Sequence, residues 1–302
     1  MPIPPNVHCG PAGWSYSHWN GLVFPKAQPH GFHPLQRLAE YFDTVEINTS
    51  FYRPLKPEIT RLWALKVSHN PAFVFTAKLN RRFTHDRSLD LAEIAAFKEG
   101  LWPLHRAGKL GCLLMQFPWW FRFTAENREF FIQLRRAFHE FPLAAEMRHE
   151  SWMMDEALGT FIDYRIGFCN IDQPNWIRAM PPTAFLTSPV GYIRLHGRNP
   201  GNSLGEFDEA ASRRRQHDYL YTLEELVGWQ KRIDRIRQYA SATFIITNND
   251  AGAKSFVNAL QLAAMLGDGR HRAPADLLRR YPDALAGFHG GRRRQEHLFD
   301  AA

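Results

Sequence analysis

Two glutamates stand where an α/β fold places its chemistry. Glu46 lies in the apolar run Thr44-Val45-Glu46-Ile47, and Glu146 lies in Ala144-Ala145-Glu146-Met147. A carboxylate held at a strand end can act as general acid, general base or metal ligand. His196 follows Tyr192-Ile193-Arg194-Leu195 and completes a candidate catalytic set of Glu46, Glu146 and His196. With His149 and Asp172, these three supply enough imidazole and carboxylate to ligate a divalent metal, which is the one cofactor the residues suggest. The competing reading is structural: Arg148 or Arg194 neutralises the glutamates, and the histidines orient loops.

A second group is cationic. Lys78, Arg148, Arg194 and Arg198 all follow or end apolar runs. Guanidinium groups bond phosphate and carboxylate bidentately, so this set suits an anionic ligand, unless it serves only to balance the glutamates. Asn48, Gln116, Asn248 and Asn249 add paired donors and acceptors that could orient a substrate. Trp14, Tyr16 and Tyr52 could line a substrate site; aromatic residues in such places also serve as core. Gly197 and Gly252 sit where barrel folds often bind phosphate, after the seventh and eighth strands.

These residues need elements that bring positions 14 to 249 together. Eight apolar runs read as strands: Val7–Gly10, Thr44–Ile47, Phe73–Ala77, Cys112–Gln116, Ala144–Met147, Gly167–Ile171, Tyr192–Leu195 and Thr243–Thr247. Continuous apolar runs mark strands covered on both faces. Helical periodicity falls between most of them, as in Leu89–Arg106 and Asn127–Phe138, and Thr222 with Glu225 forms a capping box. The crossover after the sixth strand carries Pro181, Pro182 and Pro189 and predicts a short helix at best. The order βαβα throughout predicts a parallel (β/α)8 TIM-type barrel over residues 1–266, with strand ends meeting at one mouth. Residues 199–216 read as a long loop over that mouth. Residues 267–302, rich in Gly and Arg, read as a basic, loosely attached tail.

Composition narrows the classes. The net charge of +7 favours anionic partners through its field alone. The three cysteines have no metal-ligand spacing, which predicts reduced thiols and a cytoplasmic setting. No run of eighteen apolar residues predicts a membrane span, and the first residues do not read as a secretory signal. Walker, Rossmann and Gly-x-Ser-x-Gly patterns do not occur. Arg213-Arg214-Arg215 and Arg292-Arg293-Arg294 read as solvated charge runs.

Several segments, in order, resemble the YecE-like family, also called domain of unknown function 72. They are Gly10-Pro11-Ala12-Gly13-Trp14-Ser15-Tyr16 with Trp19, Thr44 to Tyr52, Phe75-Thr76-Ala77-Lys78 with Thr84-His85, and Gln116-Phe117-Pro118. Glu146-Met147-Arg148-His149 with Ser151-Trp152, His196-Gly197-Arg198, and Asn248-Asn249 with Ala253 and Asn258 complete the set. The resemblance spans residues 8–266 and implies a TIM-type barrel. It carries no reaction with it. Its likeness to apurinic endonucleases and sugar isomerases is one of fold.

The function expected from the residues is an enzyme acting on a small phosphate-bearing or other anionic substrate, with a metal-dependent phosphodiester hydrolase as its sharpest form. A non-catalytic nucleic-acid-binding module is the first alternative. A glycosidase is the second; it needs two carboxyl groups roughly 5–10 Å apart, and strands two and five lie far enough round a barrel to separate Glu46 from Glu146.

Overall fold

A computed structural model describes residues 6–199, 217–267 and 269–290. Eight strands form one sheet: β1 (Val7–Pro11), β2 (Thr44–Ile47), β3 (Val74–Lys78), β4 (Leu110–Gln116), β5 (Leu143–Glu146), β6 (Gly167–Asp172), β7 (Val190–Leu195) and β8 (Ala242–Thr247). All neighbours pair in parallel, in the order β1-β8-β7-β6-β5-β4-β3-β2. The predicted (β/α)8 barrel is therefore present, with every expected strand in place. Strands β2 and β5 are buried along their whole length, as continuous apolar runs require.

The barrel closes between β1 and β2 by a narrow seam. A single bridge joins Ala12 to Glu46, and the Gly13 amide donates to the Glu46 carbonyl at 2.9 Å. Gly10 makes that approach feasible: a Cβ there would sit 2.0 Å from the Thr44 carbonyl oxygen.

Helices α1 (Pro34–Leu38), α2 (Thr49–Tyr52), α3 (Pro57–Lys66), α4 (Arg81–Thr84), α5 (Leu91–Arg106), α6 (Ala125–Ala137), α7 (Asp155–Asp163), α8 (Leu223–Arg237) and α9 (Lys254–Met265) lie between the strands or after them. Their apolar stripes face the sheet. Phe130, Phe131 and Leu134 of α6 are buried, and Phe131 packs on Trp152, which stacks on Phe121. The capping box is formed: Thr222 accepts from the Glu225 amide while Glu225 accepts from the Thr222 amide. The β6–β7 crossover has no helix. Asn170 holds it instead, bonding the Phe185 carbonyl at 3.0 Å and the Phe185 amide at 2.8 Å. Its prolines cannot supply the amide ladder of a helix.

The C-terminal segment departs from expectation. Within residues 267–290 the chain forms β9 (Arg272–Ala273), α10 (Ala275–Arg280) and β10 (His289–Gly290) and packs on the barrel. Leu277 and Leu285 are buried, Tyr281 Oη donates to the Gly252 carbonyl at 2.7 Å, and Gln261 Nε2 donates to the Ala284 carbonyl at 2.8 Å. Ala273, Leu277 and Leu285 join the buried core, and Leu278, Tyr281, Ala284 and Phe288 pack against it, in a segment whose Arg and Gly content suggested a tail. The Arg292 run lies outside the described residues, as does the loop over 200–216 with its Arg213 run. No described helix is long and apolar enough to cross a membrane. All three cysteines are buried and outside any disulfide.

Gly10→Ala should prevent β1 from reaching β2. Overpacking against backbone is expected to lower unfolding free energy by about 3 kcal/mol. Urea denaturation followed by tryptophan fluorescence measures it.

Candidate functional site

The polar ends of β2, β5 and β7 meet beneath the barrel mouth. Arg194 is 0% exposed and lies between the two glutamates. Its Nη2 donates to Glu46 Oε1 at 2.8 Å, and its Nη1 donates to Glu146 Oε2 at 2.5 Å. Strand alternation puts Tyr192 on the same face as Arg194. Its Oη donates to Glu46 Oε2 at 2.9 Å and lies 2.9 Å from Thr76 Oγ1. Arg148 Nη2 reaches Glu146 Oε1 at 2.5 Å. Lys78 Nζ stands 3.9 Å from Glu46 Oε1. Three cationic side chains thus face two carboxylates, leaving one cation in excess. Of the three, only Lys78 (12% exposed) and Arg148 (17% exposed) reach the mouth.

Charge state follows from burial and these contacts. Burial pushes the Glu146 carboxyl up, but Arg148 and Arg194 outweigh it and hold the group well below the usual range. Burial alone would ease the proton from Arg194, yet Glu146 and Glu46 keep it bound above the ordinary arginine value. His196 is bracketed by Glu146 Oε2 at 3.3 Å, Arg148 Nη2 at 3.1 Å and Asn248 Nδ2 at 3.0 Å. Burial, then Arg148, hold it well below the usual histidine range, so it is neutral. Burial and repulsion from Arg194 bring the Lys78 ammonium down to about 8, against the pull of Glu46.

Above this network opens a cavity of about 590 Å³. Tyr16, Asn48, Tyr52, Lys78, Gln116, Arg148 and Asn248 line it, so seven of the residues expected at a substrate site do converge. The Asn48 carboxamide oxygen is buried and has no hydrogen-bond partner among the described residues. Gln116 Oε1 accepts from Arg194 Nη1 at 3.3 Å, tying the floor to the wall. Tyr16 Oη is committed to the Ala12 carbonyl at 2.6 Å.

Other expected residues sit elsewhere. Glu46, Glu146 and His196 do not line the cavity; they are buried beneath it as structural ion pairs and hydrogen bonds. Arg194 is enclosed by carboxylates and cannot clamp an anion. Arg198 grips Asp172 through Nε at 2.9 Å and Nη2 at 2.7 Å, and its Nη1 takes Glu225 at 2.7 Å. Asp172 also accepts from Trp229 Nε1 at 2.5 Å, so it is a counterion inside the fold. His149 Nδ1 accepts from the Ser151 amide at 3.1 Å and caps a helical turn. Consequently Glu46, Glu146, His149, Asp172 and His196 do not gather as a ligand set, and the described residues contain no group of three or more His, Cys, Asp or Glu suited to a metal ion. Trp14 is core, edge-on to Trp63 at 4.9 Å. Asn249 is buried, donating to the Tyr219 carbonyl and to Asn258. The proximity of Glu46 and Glu146 also differs from expectation: one guanidinium spans them, because Arg194 reaches inward from β7 between β2 and β5.

The anion corner expected at Gly252 is not built for one. Asp250 lines the cavity there, its carboxyl raised by burial, and Tyr281 covers the Gly252 carbonyl. Asp250 and His217 are lining residues that sequence reasoning missed. Asp250 directly follows Asn248-Asn249 and was legible by position. His217 carries no sequence signal; the fold alone brings it to Asn248, 3.5 Å away. Burial, helped by Lys78 and Arg148, lowers it to about 4. Exposed Trp119 and Trp176 complete the rim, and Arg122 stacks over Trp119.

Comparison with known proteins agrees with this architecture. The family model "Protein of unknown function DUF72" matches residues 8–281, past the point where the sequence resemblance ended. The UPF0759 protein YunF of Bacillus subtilis strain 168 is 25% identical over 276 residues, covering 86% of this chain and 94% of YunF. A DUF72 family protein from Thermotoga maritima MSB8 superposes with a TM-score of 0.73 at 27% identity, over 86% of this chain and 98% of that one. A second, from Enterococcus faecalis V583, gives 0.76 at 24% identity, over 86% and 95%.

Two outcomes are expected. Glu146→Gln leaves Arg148 and Arg194 underpaired and should cost about 3–5 kcal/mol in denaturant unfolding. His196 and His217 are neutral when folded, so unfolding takes up protons below the free histidine value near 6.5. Their contribution to stability is whole above that pH and falls steadily as pH drops towards 4. His217→Gln should flatten the stability profile between pH 6.5 and pH 4, as read from urea midpoints.

Proposed function

The chain belongs to the DUF72 family, and from that premise we propose that it is an enzyme acting on a small anionic, phosphate- or carboxylate-bearing substrate held at Lys78 and Arg148. The observation that carries this reading is the excess cation. The two buried glutamates neutralise Arg194 and part of Arg148, and the remaining positive charge faces the cavity. An anion entering there completes the balance of a low-dielectric network, where the attraction is stronger than at an open surface.

The opposite wall has the other character. Asp250 and Asn248 offer acceptors to hydroxyl or amino groups of the substrate body, and the Trp119 and Trp176 rings can cover its apolar face. The pocket therefore suits a compact molecule with an anionic end and a hydrogen-bonding end. A metal-assisted phosphodiester hydrolase fits poorly because Glu46, Glu146 and Asp172 are paired with arginines, and no group suited to a metal ion gathers among the described residues. A glycosidase also fits poorly: it needs two carboxyl groups flanking the substrate, and among the described residues Asp250 is the one acidic side chain lining the cavity, with Glu46 and Glu146 buried beneath it. A nucleic-acid module needs a cationic track, and the excess charge here lies inside a well.

Thermal unfolding at fixed ionic strength tests the reading. Glycerol 3-phosphate should raise Tm, and glycerol should not. Lys78→Met should weaken that binding at least tenfold, since a charge-assisted hydrogen bond contributes about 1.5–3 kcal/mol, with little change in the unliganded Tm because Arg194 and Tyr192 still satisfy Glu46. Equal protection by the two compounds, or unchanged affinity in the variant, would overturn it.

A further inference from the structure

Resting on that reading, we propose that Lys78 is a nucleophile that captures the carbonyl group of the substrate as an imine. The geometry leaves its nitrogen available. The nearest carboxylate oxygen, Glu46 Oε1, is 3.9 Å away and is already taken by Arg194 at 2.8 Å. The nitrogen lies 5.6 Å from the centre of the Phe51 ring, so an apolar face shields it from bulk water on that side. Lys78 ends β3, a paired strand, and its carbonyl accepts from Ser50 Oγ at 2.7 Å, so the backbone that aims the side chain is fixed. It opens into the same cavity as Arg148, which can hold an anionic group beside the reacting carbonyl.

Two consequences of the buried, cationic surroundings favour the chemistry. Near pH 7 a lysine with a value of about 8 is neutral in about one molecule in ten, against about one in three thousand for an exposed lysine. The step also leaves the network's charge unchanged. The nitrogen lone pair attacks the carbonyl carbon, and the C=O pair moves to oxygen, which takes up a proton to give a carbinolamine. That hydroxyl then leaves as water while the nitrogen forms C=N. Ammonium plus carbonyl becomes protonated imine plus water, with no oxidant or reductant. The positive charge that faces Glu46 before the reaction still faces it afterwards. His217, neutral and lining the same cavity, is placed to relay the proton. The substrate class is thereby narrowed to a carbonyl compound bearing phosphate or carboxylate.

Reductive trapping tests this on the full-length protein. Dihydroxyacetone phosphate or pyruvate is added with sodium borohydride at pH 7, and intact mass and peptide mapping locate the adduct. One adduct on Lys78 is expected, at least tenfold above that on exposed lysines such as Lys26, and none at that position in Lys78→Arg. No adduct from either probe, or labelling spread evenly over surface lysines, overturns the imine. If glycerol 3-phosphate still protects in that case, the anion site stands and only the covalent step falls. If Lys78 is trapped equally well by uncharged dihydroxyacetone, the imine stands and the anion site falls.

Discussion

One guanidinium organises this molecule. Arg194 bonds Glu46 from β2 and Glu146 from β5 while itself standing on β7, so three strands of the barrel are tied at one fully buried point. Burying such ions costs several kcal/mol each, and the cost is offset only when every charge is paired and bonded. Tyr192 bonds Glu46 and Arg148 pairs with Glu146, while Arg194 Nε is left without a hydrogen-bond partner among the described residues. The closure seam depends on the same place, because the Glu46 backbone makes the bridge to Ala12 and accepts from Gly13. Side chain and main chain of one residue therefore join the electrostatics of the floor to the closing of the barrel.

The pocket inherits its character from that floor. Two carboxylates cannot neutralise three cations, and Arg194 is already enclosed, so the surplus is expressed at Lys78 and Arg148. Burial, and then the like charge of Arg194, lower the affinity of Lys78 for its proton. The opposite wall, with Asp250, carries the other sign. A cavity that is cationic on the β3–β5 side and anionic beside β8 orients a ligand before any contact is made. Residues that look catalytic by type lie buried beneath the cavity, and Lys78 and Arg148 line it above them.

Much of the fold was legible because its cause is local. Each strand is a short apolar run, and a run that must be covered on both faces reads the same wherever it occurs. The helix stripes and the Thr222–Glu225 cap are equally local. The site was legible in part. Lys78, Gln116, Arg148 and Asn248, expected at the mouth from their places at strand ends, do line the cavity. Trp14, Asn249 and Arg198 occupy equivalent places and turned inward to Trp63, Asn258 and Asp172, a choice that neighbouring residues in the chain do not reveal. The segment 269–290 differed from expectation for the same reason: its apolar residues are spaced among Arg and Gly, yet Ala273, Leu277, Leu285 and their neighbours pack on a core built by distant residues.

By itself the sequence determined the element order, the parallel barrel and the kinds of group at its mouth, since these depend on patterns within a few residues. Tertiary structure decided which of those groups are paired. Arg194 meets Glu46 across 148 positions and Glu146 across 48. Whether an ionisable side chain is a counterion or a reactive group depends on partners at such separations and on the water removed between them. That is why the glutamates lie paired beneath the cavity while Lys78 lines it.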